Sequence, residues 1–370
     1  HRAGDLSFQP RQSRLVRVMA NISPNLAEVE VIAPNLKRRL SGVTTTVVRL
    51  VPLQARSIVI VTTGPGLPAD LPHVALARMF ALSRSRWRVW HARRNTEMAL
   101  GLILRHVFRR RLRLLFTSAA QRHHKPFTKW LIRQMDRLVA TSPQAASYLE
   151  RPSTVVMHGV NCETFRPAED KAALRRQLAL PEDALLIGCF GRIRAQKGVD
   201  LLVDAAVALL PTRPDVQIIF TGRVTDDQRG FYDEQMARLV AAGLQDRVTF
   251  AGELPWERIV DLYRSIDLFV APARWEGFGL TPLEAMASGV PTVASRVGAF
   301  EALIRDGETG SLVPRDDAKA LTEAIRNWVD DPQRLKGAGP VARAHVLANH
   351  RIEGEADALV NIYRDMLRAE

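Results

Sequence analysis

Residues 274–294 read RWEGFGLTPLEAMASGVPTVA, and this stretch indicates the fold of the second half of the chain. The apolar run at residues 267–271 before it predicts a β-strand. The sequence that follows predicts a glycine-bearing loop, a short helix and a second, β-branched strand. Parallel strands joined by a helix bind ligands at the carboxyl edge of their sheet, so we expect the polar residues of this loop to face a ligand.

The stretch carries two carboxylates, Glu276 and Glu284, with seven residues between them. Glu284 has a structural alternative, because Thr281, Pro282 and Glu284 match the N-cap, N1 and N3 positions of a helical capping box. Glu276 has no such local role, and it stands beside glycines that let a backbone approach a ligand closely. Because carboxylates accept hydrogen bonds from hydroxyl groups, and the N–H groups of a helix start favour phosphate, the loop suits a nucleotide-sugar.

A second loop supplies cations. Residues 191–198 read GRIRAQKG and lie between a predicted strand and a predicted helix. Arg192 and Lys197 suit a diphosphate, since a guanidinium offers forked donors and an ammonium a compact charge. An ordinary surface loop is the alternative, because Arg and Lys are common there. The loop matches neither GxxxxGK[ST] nor GxGxxG, which excludes both phosphate-binding motifs.

Strands alternate with helices from residue 28 onward, which predicts parallel, doubly wound sheets. The alternation restarts after HGVN at residues 158–161 and FRP at residues 165–167. The predicted strands are 29–33, 57–62, 88–91, 112–117, 137–141, 154–157, 185–190, 216–221, 247–250, 267–271 and 310–313; the predicted helices are 44–53, 95–109, 198–210, 231–242, 257–264, 318–328, 332–349 and 354–367. The predicted units are a flexible extension (residues 1–27), an N-terminal domain (28–163) and a C-terminal domain (164–351), with a last helix (about 352–370) that can pack back on the N-terminal domain.

The positive charge of the chain is concentrated in its first half. Residues 1–160 contain 26 Lys and Arg against 7 Asp and Glu, whereas residues 161–370 contain 26 against 32. This asymmetry predicts an anionic partner such as nucleic acid, lipid or a phosphorylated acceptor, with a merely solvated surface as the alternative. Cys162 and Cys189 provide neither a disulfide framework nor metal-ligand spacing, which favours the cytoplasm. No apolar run reaches the 18 residues of a membrane span.

Three segments of the second half together resemble the family 4 retaining glycosyltransferases of GT-B fold, in which two Rossmann-like domains face a cleft. They are GRIRAQKGVDLLVDA (191–205), VTFAGELPWERIVDLYRSIDLFVAPARWEGFGLTPLEAMASGVPTVAS (248–295) and VGAFEALIRDGETGSLV (297–313). Glu276 and Glu284 match both ends of the E-x7-E motif of that family. HGVN…FRP matches its HGVD…FxP junction, with Asn161 in place of Asp.

The resemblance implies a role for each loop of the second half. Arg192 and Lys197 would hold the donor diphosphate, Glu284 the ribose hydroxyl groups and Glu276 a hydroxyl group of the transferred sugar. The loop at residues 251–254 would lie by the base. Backbone groups would complete the donor site at Gly42, which approaches from across the cleft, and at Gly277, Phe278, Gly279, Leu280 and Thr281. No metal or other cofactor is implied.

The first half resembles a narrower group, the bacterial mannosyltransferases of the lipopolysaccharide inner core. EVEVIAPNLKRRLSGVT, VWHARRN and FTSAAQRHH carry this resemblance. It implies an N-terminal acceptor-binding domain and mannosyl transfer from GDP-mannose to a Kdo sugar of lipid A, an anionic glycolipid. Where many members have His-x-His, this chain has His91-Ala92-Arg93, so His91 and Arg93 are the N-terminal catalytic candidates. His123 and His124 are further candidates, and a structural role is the alternative.

The implied reaction retains the anomeric configuration, and the departing phosphate, stabilised by Arg192 and Lys197, takes the proton of the acceptor. Clustered arginines with two aromatic residues predict peripheral binding to the inner face of the bacterial inner membrane. These residues are Arg84, Arg86, Arg88, Arg105, Arg109, Arg110, Arg111 and Arg113, with Trp87 and Phe108. Nucleic acid is not expected as a partner, because no nucleic-acid-binding module is recognisable.

Two other functions fit the same pattern. One is a glycosyltransferase of this fold that uses another nucleotide-sugar for a different glycan or glycolipid. The other is a sugar-nucleotide epimerase of GT-B fold, which would alter the donor without any acceptor.

Overall fold

A computed structural model describes residues 25–38 and 42–369 of the chain. These residues form two six-stranded sheets in which all paired strands are parallel. Buried apolar clusters lie on both faces of each sheet. The predicted pair of doubly wound α/β domains is therefore confirmed. Most of the predicted extension, residues 1–24, lies outside the described residues.

The first sheet has its strands in the order β2-β1-β3-β4-β5-β6. Its strands are β1 (Val31–Pro34), β2 (Ile60–Thr63), β3 (Arg88–Ala92), β4 (Leu112–Ser118), β5 (Arg137–Ala140) and β6 (Thr154–Val155). The order reverses between β1 and β3, where Ile32 is paired with Trp90. Because open parallel sheets bind ligands at the carboxyl edge beside such a reversal, this edge is a candidate site.

Helices cover both faces of the first sheet. They are α1 (Gly42–Gln54), α2 (Asn95–His106), α3 (Pro126–Arg133) and α4 (Pro143–Ser147), with a 3₁₀ turn at Leu76–Ala81. Residues of α2 and α3 are buried in one apolar cluster, and residues of α1 in another. The sequence did not predict α3 and α4, because helices this short show too few turns for an apolar period to be recognised.

The second sheet has the order β12-β11-β10-β7-β8-β9 and reverses between β7 and β10. Its strands are β7 (Leu185–Phe190), β8 (Val216–Thr221), β9 (Val248–Phe250), β10 (Leu268–Ala271), β11 (Thr292–Ser295) and β12 (Gly310–Val313). The predictions for β7, β8 and β12 are confirmed to the residue. Their apolar, β-branched sequences suit parallel strands that are buried on both faces.

The helices of the second half lie in two layers. They are α5 (Lys171–Gln177), α6 (Val199–Leu209), α7 (Arg229–Ala241), α8 (Trp256–Ser265), α9 (Thr281–Ala287), α10 (Phe300–Leu303), α11 (Ala318–Val329) and α12 (Pro332–Asn349), with 3₁₀ turns at Ala195–Lys197, Leu210–Thr212 and Asp226–Gln228. Helices α6 and α11 contribute to one apolar cluster, and α8, α9 and α12 to the other.

The last helix, α13 (Ile352–Arg368), returns to the first sheet. Its apolar positions recur at helical spacing, and Tyr363 is buried in one cluster with Val47 of α1 and Val89 of β3. At the crossing, a Cβ atom on Gly159 would lie 2.4 Å from the carbonyl oxygen of Arg351. The chain therefore passes from the second domain back to the first, and α13 completes the core of the first domain.

Candidate active site

Glu276 lies in the β10–α9 loop (residues 272–280), beside the β7–α6 loop (residues 191–198). Lys197 forms an ion pair with the Oε2 atom of Glu276, and the N–H group of Gly277 donates to Oε1 at 3.1 Å. Lys197 and Glu276 are 79 residues apart in sequence. They meet because β7 and β10 are neighbours at the reversal of the second sheet. The structure thus brings a carboxylate and an ammonium group together where a ligand site was predicted.

Arg192 and Gly198 occupy opposite ends of the β7–α6 loop. Arg192 is exposed, and within the described part of the chain its side chain makes no hydrogen bond or ion pair. Gly198 has a φ of 70°, and a Cβ atom there would lie 1.9 Å from the carbonyl oxygen of Pro272. Only glycine allows this close contact between the two loops, so Gly198 fixes how near Lys197 lies to Glu276.

Arg274 joins the same two loops, and sequence reasoning assigned no role to it. Its Nη1 and Nη2 atoms donate to the two carboxylate oxygens of Asp200, both at 2.7 Å, and Nε donates to Asp316 at 2.6 Å. Nη1 also donates to the carbonyl oxygen of Ala195 at 2.5 Å. The hydrogen bonds that Arg274 donates to Asp200 and, to a smaller extent, to Asp316 raise the pKa of Arg274 above its already high usual value. This bidentate pair orients both loops around the ion pair.

The predicted capping box at the start of α9 is wrong. The N-cap is Leu280, whose backbone is already near the helical region, and no side chain caps the helix. Thr281 is therefore one residue too far inside the helix to act as a cap. Glu284 instead accepts a hydrogen bond from the hydroxyl group of Tyr263 at 2.8 Å. Burial raises the pKa of the Glu284 carboxyl group, while the Tyr263 hydrogen bond and the charge of Arg49 oppose the shift.

Two cavities lie at this edge of the second sheet. The first is open to the solvent and has about 360 Å³ of empty space with its mouth included; it is lined by the ends of β7 and β10 and by Arg192, Lys197, Glu276 and Thr281. Glu284 and Gly42 do not line it. The second has about 730 Å³ of empty space with its open mouth included and shares Ile193 with the first. Its lining includes Arg223, Arg229, Tyr232, Phe250, Gly252 and Glu253. The predicted loop at residues 251–254 therefore borders a cavity that adjoins the ion pair.

The other predicted backbone positions differ in their surroundings. Phe278 is buried, and Gly279 has a φ of 82° with no space for a Cβ atom beside Phe300. Gly42 is exposed at the start of α1, and a Cβ atom there would meet no described atom within 4 Å. Residues 39–41, which precede Gly42, lie outside the described residues. No described neighbour therefore excludes a side chain at Gly42. At position 279, both the backbone conformation and the packing require glycine.

His91 is completely buried in the first domain. Its Nδ1 atom lies 2.7 Å from the hydroxyl group of Tyr363, and its Nε2 atom lies 2.6 Å from Oγ1 of Thr117. Burial lowers the pKa of His91 well below its usual value, and the nearby charge of Arg93 adds to the effect. Arg93 is also buried and donates to the carbonyl oxygen of His91 at 3.2 Å. Both side chains line a small pocket with His158 and Glu355, and neither makes a described contact with Glu276.

His123 and His124 belong to the β4–α3 loop (residues 119–125). The ring of His123 packs edge to face on Tyr148, and His124 Nε2 lies 3.3 Å from Oγ of Ser118. Burial lowers the pKa of His124. Neither ring makes a described contact with the second domain.

Sequence reasoning missed the contacts between the domains. Gln121 of the β4–α3 loop donates a hydrogen bond to the carbonyl oxygen of Gly277 at 2.7 Å, across 156 residues of sequence. The ring of His158 packs edge to face on that of Phe278, with 4.8 Å between centroids. Nothing in the sequence near either residue indicates this contact. The carboxyl edges of the two sheets therefore meet around the β10–α9 loop.

Comparison with known proteins gives this architecture a family. A family model described as glycosyl transferases group 1 matches residues 170–345. The chain is 50% identical over 349 residues to the lipopolysaccharide core biosynthesis mannosyltransferase LpcC of Rhizobium leguminosarum bv. viciae, which covers 93% of this chain and 98% of that protein. It is 48% identical over 351 residues to the LpsB protein of the same description from Rhizobium meliloti (strain 1021), covering 93% and 99%.

The solved structure of Anabaena HepE in complex with UDP superposes with a TM-score of 0.79 at 17% identity and covers 91% of this chain and all of that one. Two doubly wound sheets that meet in this way define the GT-B fold, and the protein is a glycosyltransferase. Within that class, the chain belongs to the family of lipopolysaccharide core biosynthesis mannosyltransferases.

Proposed function

We propose that this enzyme transfers mannose from GDP-mannose to a Kdo sugar of lipid A, with retention of configuration, as a family 4 glycosyltransferase. The descriptions of the two Rhizobium relatives support mannose and the lipopolysaccharide core. The observation that carries the site is the Lys197–Glu276 ion pair beside the exposed Arg192 at the reversal of the second sheet. Kdo, GDP and retention rest on the family resemblance of the sequence.

The donor diphosphate would occupy the first cavity. Arg192 and Lys197 both line it, and each can donate hydrogen bonds to phosphate oxygens. A bound diphosphate would draw Lys197 away from Glu276, which leaves the carboxylate free to accept a hydrogen bond from the sugar. These cations balance the charge of the diphosphate, so the proposal includes no metal or other cofactor. Glu284 would accept hydrogen bonds from the ribose while Tyr263 holds its side chain in place.

The second cavity would take the base. Glu253 lines it near Phe250 and Tyr232, whose rings offer an apolar surface. Guanine presents two adjacent donors, at N1 and at its amino group, and one carboxylate can accept both hydrogen bonds. Uracil presents a single N–H donor on that edge. The Glu253 carboxylate therefore supports a guanine nucleotide over a uracil nucleotide.

In the proposed reaction, the acceptor hydroxyl group attacks the anomeric carbon on the face from which the nucleotide leaves. The bond from that carbon to the acceptor oxygen forms as its bond to the phosphate oxygen breaks, and the phosphate takes the acceptor proton. Arg192 and Lys197 stabilise the charge that develops on the leaving phosphate, an effect that is commonly the largest in catalysis. Glu276 positions the sugar and is assigned no nucleophilic role.

The membrane surface proposed for the first domain is corrected in part by the structure. Arg88 is buried and donates to the carbonyl oxygens of Ser83 and Leu26, and Arg110 donates to those of Leu82 and Phe80. These two side chains are therefore structural, because a buried guanidinium needs such acceptors. Arg113 stacks on the exposed Trp87, with 5.0 Å from its Cζ atom to the ring centroid, and remains part of the surface.

Helices α2 and α3 pack side by side and expose a strip of large apolar residues: Ile103, Val107, Phe127 and Trp130. Trp130 is 51% exposed and stacks on Phe127. Lys125 precedes α3, and the same two helices carry Arg105 and Arg133, which pair with Asp136 and Glu150. Apolar side chains flanked by cations suit an anionic membrane that carries the acceptor. No helix among the described residues has the length and hydropathy of a transmembrane span. We place peripheral membrane contact on this α2–α3 strip.

The function is tested by incubating the enzyme with GDP-mannose and Kdo–lipid A and measuring the mass and anomeric configuration of the product. We expect the glycolipid to gain one hexose in the configuration of the donor. Transfer from a UDP- or ADP-sugar in place of GDP-mannose would overturn the proposed donor. Conversion of the donor without acceptor would support an epimerase. Flotation with anionic and neutral vesicles tests the strip, and equal binding to both would contradict it.

A further inference from the structure

Gln121 of the first domain contacts the β10–α9 loop at a position next to Glu276. Its Nε2 atom donates to the carbonyl oxygen of Gly277 at 2.7 Å. The N–H group of Gly277 in turn donates to the Glu276 carboxylate. A side chain of one domain thus holds the residue that follows the sugar-binding candidate of the other domain.

The orientation of the Gln121 amide is fixed by its partner. A carbonyl oxygen accepts hydrogen bonds and cannot donate them, so the NH₂ group of Gln121 must face Gly277. Its Oε1 atom must then point away from that carbonyl. This oxygen is buried, and it finds no hydrogen-bond donor within residues 25–38 and 42–369. Buried polar atoms in proteins are rarely left without a partner, so an unpaired acceptor at a ligand cleft calls for one.

We propose that Gln121 is a positioning residue that bridges the two domains and accepts, through Oε1, a hydrogen bond from a hydroxyl group of the bound sugar. The inference rests on the proposed donor site, because it places the sugar beside Glu276. A hydroxyl group supplies the missing donor, whereas a phosphate oxygen does not. Since Oε1 has no exposed surface in this structure, the proposal requires that the sugar enters while the two domains are further apart, and that their closure then completes the hydrogen bond.

A second contact holds the same loop from the first domain. His158 packs on Phe278, and its Nδ1 atom lies 2.6 Å from Glu355 of α13. The β10–α9 loop is therefore held at Gly277 and at the next residue when the domains are closed. Of these two described contacts, the Gln121 contact carries a buried acceptor without a partner, so it is the one that we assign to the sugar. Occupying Oε1 favours the closed arrangement, because only that arrangement forms the complete set of hydrogen bonds.

The first experiment compares Gln121→Met with Gln144→Met. Met keeps the length of the side chain but forms no equivalent hydrogen bonds, and Gln144 is an exposed residue of α4 outside the cleft. We expect Gln121→Met to lower kcat by about 10- to 100-fold through misplacement of the sugar, with the Kd of GDP unchanged. Gln144→Met should match the wild type. An unchanged kcat in Gln121→Met, or a loss of GDP binding equal to the loss of rate, would overturn the proposal.

The second experiment measures closure. Gln121→Glu has the same length but places carboxylate oxygen against the Gly277 carbonyl, so the bridge becomes repulsive. Small-angle X-ray scattering should show wild-type enzyme contracting with GDP-mannose, and Gln121→Glu failing to contract while it still binds GDP. Equal contraction of both proteins would contradict the bridge. Because this comparison needs no acceptor, wild-type enzyme that closes on the donor but transfers no sugar to Kdo–lipid A would refute the proposed acceptor alone.

Discussion

The carboxyl edges of the two sheets meet in one cleft, yet their polar residues are held differently. At the second sheet, Lys197 and Glu276 pair at the surface of a cavity, and Arg192 is exposed. At the first sheet, His91 is enclosed between Thr117 and the hydroxyl group of a tyrosine from the last helix. One edge offers charges that can change partners, and the other has hydrogen bonds that are closed among themselves.

This difference indicates that the polar residues of one edge can bind a ligand and that those of the other edge stabilise the fold. A partly exposed ion pair contributes little net free energy, so a ligand can replace it at small cost. Breaking a hydrogen bond between two buried groups costs more free energy, because both groups then stay buried without partners. The second edge is therefore the candidate binding edge, whereas the polar residues around His91 form a wall of hydrogen bonds at the first edge.

The largest effect should follow removal of a charge at the binding edge. We expect Arg192→Ala and Glu276→Ala each to lower kcat by about 10²- to 10³-fold, as losses of preorganised stabilising groups commonly do. Exposed Arg315 of the same domain provides the matched control, and Arg315→Ala should retain the wild-type rate. Transfer at the wild-type rate by either site variant would show that the reacting groups lie elsewhere.

A change at the wall should affect stability rather than chemistry. His91→Ala removes the described partner of the partly buried Thr117 hydroxyl group, leaves the buried Tyr363 hydroxyl group with the longer hydrogen bond from Gln54 at 3.4 Å, and creates a cavity. We expect the free energy of unfolding to fall by about 2–4 kcal/mol, with kcat of the folded fraction close to wild type. Denaturant unfolding and activity on one preparation provide the measurement. Unaltered stability with lost activity would assign His91 to the reaction.

The hydrogen bond between Tyr263 and Glu284 at the second edge should make GDP binding depend on pH. Burial raises the pKa of Glu284 and the Tyr263 hydroxyl group opposes this, so Tyr263→Phe should raise that pKa further. The ionised carboxylate that accepts ribose hydroxyl groups is then lost earlier as the pH falls. We expect the Kd of GDP to rise by about 2- to 10-fold near neutral pH. The loss of GDP affinity at acid pH should begin at a higher pH than in the wild type. Calorimetric titration across pH would contradict this if the two curves coincide.

The smallest effect concerns the arginine that joins the two ligand loops. Asp316 is exposed, so Asp316→Asn should change the free energy of unfolding by less than about 0.5 kcal/mol. Asp200→Asn removes the bidentate partner of Arg274 and should cost more, with weaker GDP binding. Thermal unfolding and GDP affinity distinguish the two. Equal losses in both variants would mean that the loops are held by the network as a whole.

The second domain was the more predictable from sequence because its signals are local. Strand β8 is an apolar run that ends at a glycine, and α12 starts at a proline, so short windows define both. The loop carrying Glu276 was found because carboxylates and glycines adjoin a strand. Its capping box failed, because the helix start depends on the backbone of Leu280 rather than on residue types.

The remaining misses are pairs of side chains that are distant in sequence. His91 owes its burial partly to Tyr363, which is 272 residues away, and Arg274 finds Asp200 at a separation of 74. No sequence pattern around His91 or Arg274 indicates which distant residue it contacts. Such contacts follow from the order of the strands and from the return of the last helix, and neither is expressed in the residues nearby.

The return of α13 to the first sheet has a consequence for how the chain is made. Strand β6 ends at Val155 and α13 begins at Ile352. At ribosomal rates of about 5–20 residues per second, roughly 10–40 s pass between their synthesis. During that interval the apolar face of α1 that α13 covers stays open to the solvent. The first domain to emerge from the ribosome is thus the last to be finished, and a chaperone that shields this face has a defined interval in which to act.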